Sequence, residues 1–309
     1  MDTYQITLQP LSAFGTPLAG DTLFGQLCWA ARERYGEARL HSLLEGYTEG
    51  KPFLVVSDAF PAGWLPRPLI PDFLLGIDVN PAQRKTAKQL VWLPLADTAL
   101  PLQEWLAKAT KQKAAQSAVL TQNTINRFTG TTGTGPFAPR QVERLHFPAG
   151  ESLQIYCCLD TTRLHGDELQ QLFEDIGLGG FGRDASTGLG KFAVNACTPR
   201  PWPLASGRHA LTLGPCAPAP DVLENSACFY QPLTRFGRHG NVAALGGQPF
   251  KRPVLTLRTA AFLTFRSGAV PPFHGTGLGG IHAPISTSIP ATVHQGYAPL
   301  VPLNAELRS

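Results

Sequence analysis

No stretch of this 309-residue chain reaches the roughly 18 consecutive apolar residues that a membrane-crossing helix needs. Its first residues, Met1-Asp2-Thr3-Tyr4-Gln5-Ile6-Thr7-Leu8, lack the basic start and apolar centre of a secretion signal. The cytoplasm is therefore the expected compartment, with no membrane partner. The six cysteines, Cys28, Cys157, Cys158, Cys197, Cys216 and Cys228, contain no C-x-x-C pair and no Cys/His grouping at zinc spacing. They read as small buried hydrophobes, and neither a metal nor a cofactor is expected. H-E-x-x-H and the G-x-S-x-G elbow are missing too, which removes two common hydrolytic devices. Charge is sparse at 16% of residues, while 43% are hydrophobic. A chain of this size and composition buries a large core and usually divides into two domains.

Against these absences stands Ile176 to Phe192, IGLGGFGRDASTGLGKF, where six glycines surround one Arg, one Asp, a Ser-Thr pair and one Lys. Glycine lets bare backbone N–H groups approach an anion, and two hydroxyls and two cations stand among them. A phosphate chain suits such a loop. The motif is neither of the familiar nucleotide loops. Gly177, Gly179 and Gly182 spell G-x-G-x-x-G, but that fingerprint follows a strand and opens a helix, whereas here the helical pattern Gly166 to Ile176 precedes the loop and a strand pattern follows. A Walker loop needs glycine where this chain has Ala185 and Ser or Thr where it has Phe192.

A glycine-rich loop between a helix and the closing strand resembles that of the RAMP proteins of CRISPR effector complexes, and three further segments extend the likeness. Pro17-Leu18-Ala19-Gly20-Asp21-Thr22-Leu23-Phe24-Gly25-Gln26-Leu27-Cys28-Trp29-Ala30 is similar to the first-helix motif of the type III-A (Csm) subunit that holds the guide RNA's 5′ tag. Asn123-Thr124-Ile125-Asn126-Arg127-Phe128-Thr129-Gly130 resembles the segment leading into that subunit's thumb, and His294-Gln295-Gly296-Tyr297-Ala298-Pro299-Leu300-Val301-Pro302-Leu303 its C-terminal signature. Residues from about 206 to 280 match least.

Patterning along the chain reads as α+β, with two ferredoxin-like (RRM-like) units. Residues 1–200 form the first, interrupted by a thumb-like insertion at about 83–150, and residues 205–309 a second, degenerate one. A strand is expected over Thr3 to Leu11, then a helix to Tyr35 with Asp21 as its N-cap. Strands follow over Phe53 to Phe60 and Ser152 to Asp160, and another begins at Phe192. Adjacent Cys157 and Cys158 should face opposite sides of their strand. Pro199-Arg200-Pro201-Trp202-Pro203-Leu204 reads as a linker. Beyond it, strands are expected at Ala227 to Thr234, Val254 to Arg258 and Ala260 to Phe265, and a second glycine-rich loop at Gly275 to Gly280.

Net charge is +4 and the isoelectric point about 8.8, compatible with RNA without requiring it. Arg84, Lys85, Lys88, Lys108, Lys111 and Lys113 bracket Trp92 and Trp105, while Arg235, Arg238, His239, Lys251 and Arg252 form a later basic group. Either group reads equally as a solvated face or as a nucleic-acid patch.

The resemblance implies a non-catalytic subunit of a Csm ribonucleoprotein in antiviral defence. It would cap the complex by gripping the repeat-derived 5′ tag of the crRNA, and bridge the large polymerase-like Csm subunit to the backbone RAMP subunit. Gripping a single strand needs amides and cations for phosphates and apolar faces for bases. Gly179, Gly180, Gly182, Arg183, Ser186, Thr187, Gly188 and Lys191 are the loop candidates, and Asn126, Arg127 and Phe137 those of the insertion. Three alternatives stay open: the equivalent subunit of a type III-B complex, a scaffold that binds proteins only, and a metal-independent endoribonuclease cutting the CRISPR repeat. The last needs a general base such as His to activate a ribose 2′-OH. Eight histidines are available, none at a spacing that marks a catalytic pair.

Overall fold

The computed structural model describes residues 1–75, 84–87, 89–111, 115–202 and 207–307. The chain opens with strand β1 (Asp2–Pro10), followed by helices α1 (Gly20–Tyr35) and α2 (Glu37–Leu44). Short strands β2 (Leu54–Val56), β3 (Phe60–Pro61) and β4 (Trp64–Pro66) come next, then α3 (Arg84–Ala87), β5 (Trp92–Pro94) and α4 (Leu102–Ala107). A ribbon of β6 (Gln116–Gln122) and β7 (Arg140–His146) precedes β8 (Leu153–Leu159), α5 (Gly166–Gly179) and β9 (Phe192–Pro199).

These elements build an antiparallel sheet in the order β2-β8-β1-β9, with β3 also pairing β8. Alternation in β1 sends Ile6 and Leu8 inward, opposite Ile155 and Leu153 of β8. Leu23, Phe24, Leu27 and Ala31 recur at helical spacing on α1, and Leu169, Leu172, Phe173 and Ile176 on α5, so both helices share that core. α5 starts where the Glu168 carboxylate accepts the His165 N–H at 2.8 Å, half of a reciprocal capping box. Cys157 and Cys158 do point to opposite faces, and both are fully buried, because the far side of β8 is covered as well: the Cys158 thiol donates to the Pro272 carbonyl.

Beyond residue 207 the chain supplies β10 (His209–Thr212), β11 (Pro232–Arg235), β12 (Val254–Leu257), β13 (Phe262–Thr264), β14 (Phe273–Gly275), β15 (Leu278–Gly279), β16 (Val293–His294) and β17 (Tyr297–Leu303). A second antiparallel sheet runs β13-β10-β17-β14, and the described residues of this half contain no α-helix. The expected strand over Ala227 to Thr234 forms only from Pro232, and that over Ala260 to Phe265 starts at Phe262, since Ala260 turns the chain at φ 73°. Pro203 and Leu204 of the expected linker lie outside the described residues.

Not all of the span 83–150 leaves the body of the molecule. Trp105 of α4 is fully buried in a core with Leu211 and Val301, and its indole N–H donates to the Pro94 carbonyl at 2.8 Å. Among the described residues of this span it is the β6–β7 ribbon that projects, with seven cross-strand pairs from Gln116↔His146 to Gln122↔Arg140.

The two sheets are joined by side chains that act on backbone. Gln295 accepts the Val56 N–H at 2.8 Å and donates to the Val56 carbonyl at 2.7 Å, so one buried amide completes the edge of β2 as a neighbouring strand would. The Tyr297 hydroxyl donates to the Tyr47 carbonyl at 2.6 Å. Asp21 does not cap α1. The helix begins at Gly20, whose N–H donates at 2.7 Å to the carboxylate of Asp58, so the cap's role is filled from the β2–β3 connection. Gly20 permits this approach, since a Cβ there would lie 2.3 Å from the Val56 carbonyl oxygen. Asp21 instead takes a two-pronged pair from Arg235 at 2.6 Å each, with His294 Nε2 at 3.4 Å.

Candidate nucleic-acid interface

The glycine loop is folded against its neighbours before any ligand arrives. α5 runs on to Gly179, so the loop proper spans 180–191. Gly180, Gly182, Gly188 and Gly190 all have positive φ. At Gly190 the conformation and the space agree: φ is 73°, and a Cβ would sit 2.1 Å from the Phe181 carbonyl oxygen. Phe181 N–H donates to the Gly190 carbonyl and Gly190 N–H to the Ala13 carbonyl, while Phe181 itself is buried. A short 3-10 turn, Ala185–Thr187, forms the crest. The N–H groups of Asp184, Ala185 and Ser186 meet no protein acceptor among the described residues.

Three segments converge here. The Arg183 N–H donates to Thr16 Oγ1 at 3.0 Å, and its guanidinium to the Glu143 carbonyl of β7 at 2.7 Å. Lys191 N–H donates to Ser12 Oγ at 2.8 Å, while its carbonyl accepts from Leu11 and Ser12. Phe14 exchanges both backbone hydrogen bonds with Leu145 of β7 at 2.9 Å. The 11–16 connection is thus the hub between the ribbon's base and the glycine loop. Arg183, Ser186, Thr187 and Lys191 are exposed on the result.

Gly179, Gly180, Gly182, Arg183, Ser186, Thr187, Gly188 and Lys191 lie together, although the Arg183 guanidinium already has carbonyl and carboxylate neighbours, Asp184 being 3.6 Å away. Asn126, Arg127 and Phe137 are at the ribbon's tip, whose strands end three residues, about 10 Å, beyond the Glu143 contact. Asn126 builds the tip itself: Oδ1 accepts the Phe128 N–H at 2.9 Å and its carbonyl the Gly130 N–H. Arg127 is exposed and Phe137 half-buried. Phe128 is fully exposed, so it does not pack at the base of the insertion.

The basic group around Trp92 and Trp105 divides. Trp105 is core, Lys108 pairs with Asp97 at 2.9 Å, and Lys85 and Lys111 are exposed. Lys88 and Lys113 lie outside the described residues. The second glycine-rich loop is explained by packing: a Cβ on Gly277 would meet the Tyr47 carbonyl oxygen at 2.5 Å. Ser12, Thr16 and Glu143, which hold the interface together, carry no signal in the sequence, because their roles depend on contacts up to 179 positions apart.

A polar cluster lies at the root of α1, five residues beyond Thr16. Burial alone would raise the Asp21 pKa, but the adjacent His294 imidazole and the two hydrogen bonds and charge of Arg235 outweigh it and bring it to about 2. Asp58, buried with only the Thr259 hydroxyl and the Gly20 N–H on its carboxylate, is pushed up to about 6.

The architecture is thus two helices on an antiparallel sheet, with a further antiparallel sheet and a glycine loop before the last strand of the first. No family model and no curated protein matches this chain. Solved structures do. In the Csm1-Csm4 cassette bound to pppApA the likeness covers 98% of this chain and 99% of the other, with a TM-score of 0.63 at 15% identity. The cassette bound to cA4 gives 0.64 at 14%, covering 99% of both chains, and the Csm3-Csm4 subcomplex of the type III-A CRISPR-Cas interference complex 0.59 at 12%, covering 98% and 100%. Csm4 is the component these assemblies share, and this chain has its fold.

Proposed function

We propose that this protein is the non-catalytic subunit of a type III-A CRISPR complex that holds the 5′ repeat-derived tag of the guide RNA. In this reading it bridges the large polymerase-like subunit and the backbone subunit, as the assemblies of its structural neighbours suggest. The β2-β8-β1-β9 sheet with α1 and α5 is then a ferredoxin-like unit, the β6–β7 ribbon its thumb, and the second sheet a degenerate counterpart.

The observation that carries the reading is the locking of the glycine loop to the ribbon through Arg183, which fixes the two groups of candidate RNA contacts as one surface. Preorganisation of this kind lowers the ordering cost of gripping a flexible strand. Open amides at 184–186, the Ser186 hydroxyl and the Lys191 ammonium suit phosphates, the Thr187 hydroxyl being donated to the Asp184 carbonyl at 2.8 Å, while Phe128 and Phe137 offer faces for bases.

The test is to purify the tagged protein from its native host and sequence the co-purifying RNA with both ends preserved. A uniform repeat-derived 5′ tag ahead of varied spacers is the expected result, and Arg183→Ala with Lys191→Ala should reduce its retention. Mixed cellular RNA, or none, would overturn the reading.

A further inference from the structure

Positive charge is distributed unevenly along this chain. Residues 225–305 hold six of its 26 Lys/Arg and none of its 22 Asp/Glu, so the remainder carries 20 basic against 22 acidic residues. The whole positive balance therefore belongs to the second half. Arg235 is neutralised internally by Asp21, which leaves the others without a carboxylate close in sequence.

The segment 236–252, which closes the β11–β12 ribbon, presents this charge beside exposed rings. It is folded on itself: Lys251 N–H donates to the Gly237 carbonyl and His239 N–H to the Pro249 carbonyl, both at 2.8 Å. Its stem is fixed by the buried His239–Ser286 hydrogen bond, 2.8 Å, and by the Arg235–Asp21 pair. On this support Phe236 is 75% exposed and Phe250 68%. The Arg238 guanidinium lies 5.8 Å from the Phe250 ring centroid and is oriented by the Ala244 carbonyl at 3.1 Å. Arg252 is exposed alongside. Rigidly held rings facing solvent, edged by uncompensated guanidinium groups, match the two chemistries of a single-stranded polynucleotide: π faces that stack and phosphates that repeat.

We propose that segment 236–252 is a second contact for single-stranded RNA, with bases stacking on Phe236 and Phe250 and phosphates meeting Arg238 and Arg252. This rests on the RNA-binding reading above and extends it to the other side of α1. The distance allows one strand to reach both places. Thr16 touches the glycine loop and Asp21 holds Arg235, and five residues of chain span at most about 18 Å.

The test uses the full chain and a fluorescein-labelled single-stranded RNA of mixed sequence, about 16 nucleotides long, with Kd read by anisotropy across a salt series. Phe236→Ala and Phe250→Ala should each weaken binding by about 5- to 100-fold, and Phe250→Tyr should restore it. Arg238→Gln should lower the slope of log K against log salt by about 0.7. Both rings are exposed, so a Tm equal to the parent's will separate lost contact from lost fold. Alanine variants with the parent's affinity and salt slope overturn the proposal. So does a labelled poly-glutamate that binds the parent and loses affinity for Phe250→Ala while RNA binding is unchanged, which would assign the surface to an acidic protein. Loss on Lys191→Ala without loss on Phe250→Ala leaves the glycine-loop reading standing and removes this one. The reverse pattern keeps this site and removes the loop.

Discussion

Two buried aspartates 37 positions apart titrate in opposite senses, and the difference lies in their partners. Asp58 folds with a pKa of about 6 against an ordinary 3.8, because burial outweighs its two hydrogen bonds. Between those values the folded state holds a proton that the unfolded chain releases. Stability from this group is therefore full below pH 3.8 and falls, by about 3 kcal/mol, as pH rises to 6. Asp58→Asn should abolish that decline, which urea unfolding of both proteins between pH 4 and 7 would show. Asp21, held down to about 2 by His294 and Arg235, contributes stability above pH 3.8 that is lost as pH falls toward 2. Asp21→Ala leaves the half-buried Arg235 without its partner and should cost about 1.5–3 kcal/mol. The glycines of the loop separate in the same way. Gly190→Ala forces a Cβ into the Phe181 backbone and should dislodge the loop, with loss of RNA retention. Gly179→Ala, at a helix end with open space around it, should leave Tm unchanged. Sequence marks these positions only as a run of glycines. It does not separate the ones that face Phe181 from the ones that face solvent, since Phe181 and Gly190 meet through a turn that spacing does not encode.

Elements were legible in proportion to how local their causes are. β1, α1, β8, α5 and β9 follow from alternation or helical spacing within a few residues, and the structure keeps them. The cap of α1 was misplaced because Asp21 stands where a capping residue is expected, while the carboxylate that serves Gly20 comes from Asp58, far along the chain. The segment 84–107 looked like part of an excursion because its basic residues mask Trp105, a buried anchor. The ribbon is the element with the clearest prediction. Replacing residues 123–139 with an Asn-Gly turn removes exposed chain and should shift global stability by less than about 1 kcal/mol, as measured by thermal unfolding. The same variant should retain less guide RNA in the native host. Within the tip, Phe137→Ala should weaken tag binding by about 1–3 kcal/mol, and unchanged affinity would remove that ring from the site.

At the scale of the whole molecule, the two sheets share a buried core, in which Phe60 and Tyr156 of the first pack with Leu211, Phe262 and Val301 of the second, and are further tied by buried hydrogen bonds. Gln295→Ala leaves the Val56 N–H and carbonyl without partners in a buried position, at about 1–3 kcal/mol for each unsatisfied group. Unfolding of that variant should become less cooperative, with intrinsic fluorescence and far-UV circular dichroism giving different midpoints, whereas the parent's should coincide.

The partner of Val56 lies 239 positions downstream. At about 5–20 residues per second of synthesis, β2 emerges roughly 10–50 s before the amide that closes its edge. The sheet itself waits for β8, about 100 residues after β2, and from then until Gln295 is made it carries an open, wholly apolar edge strand, Leu54-Val55-Val56, of the kind that invites pairing with other nascent chains. The growing polypeptide is thus exposed to misassembly through the second half of translation, and the C-terminal segment acts on it as a late-arriving shield.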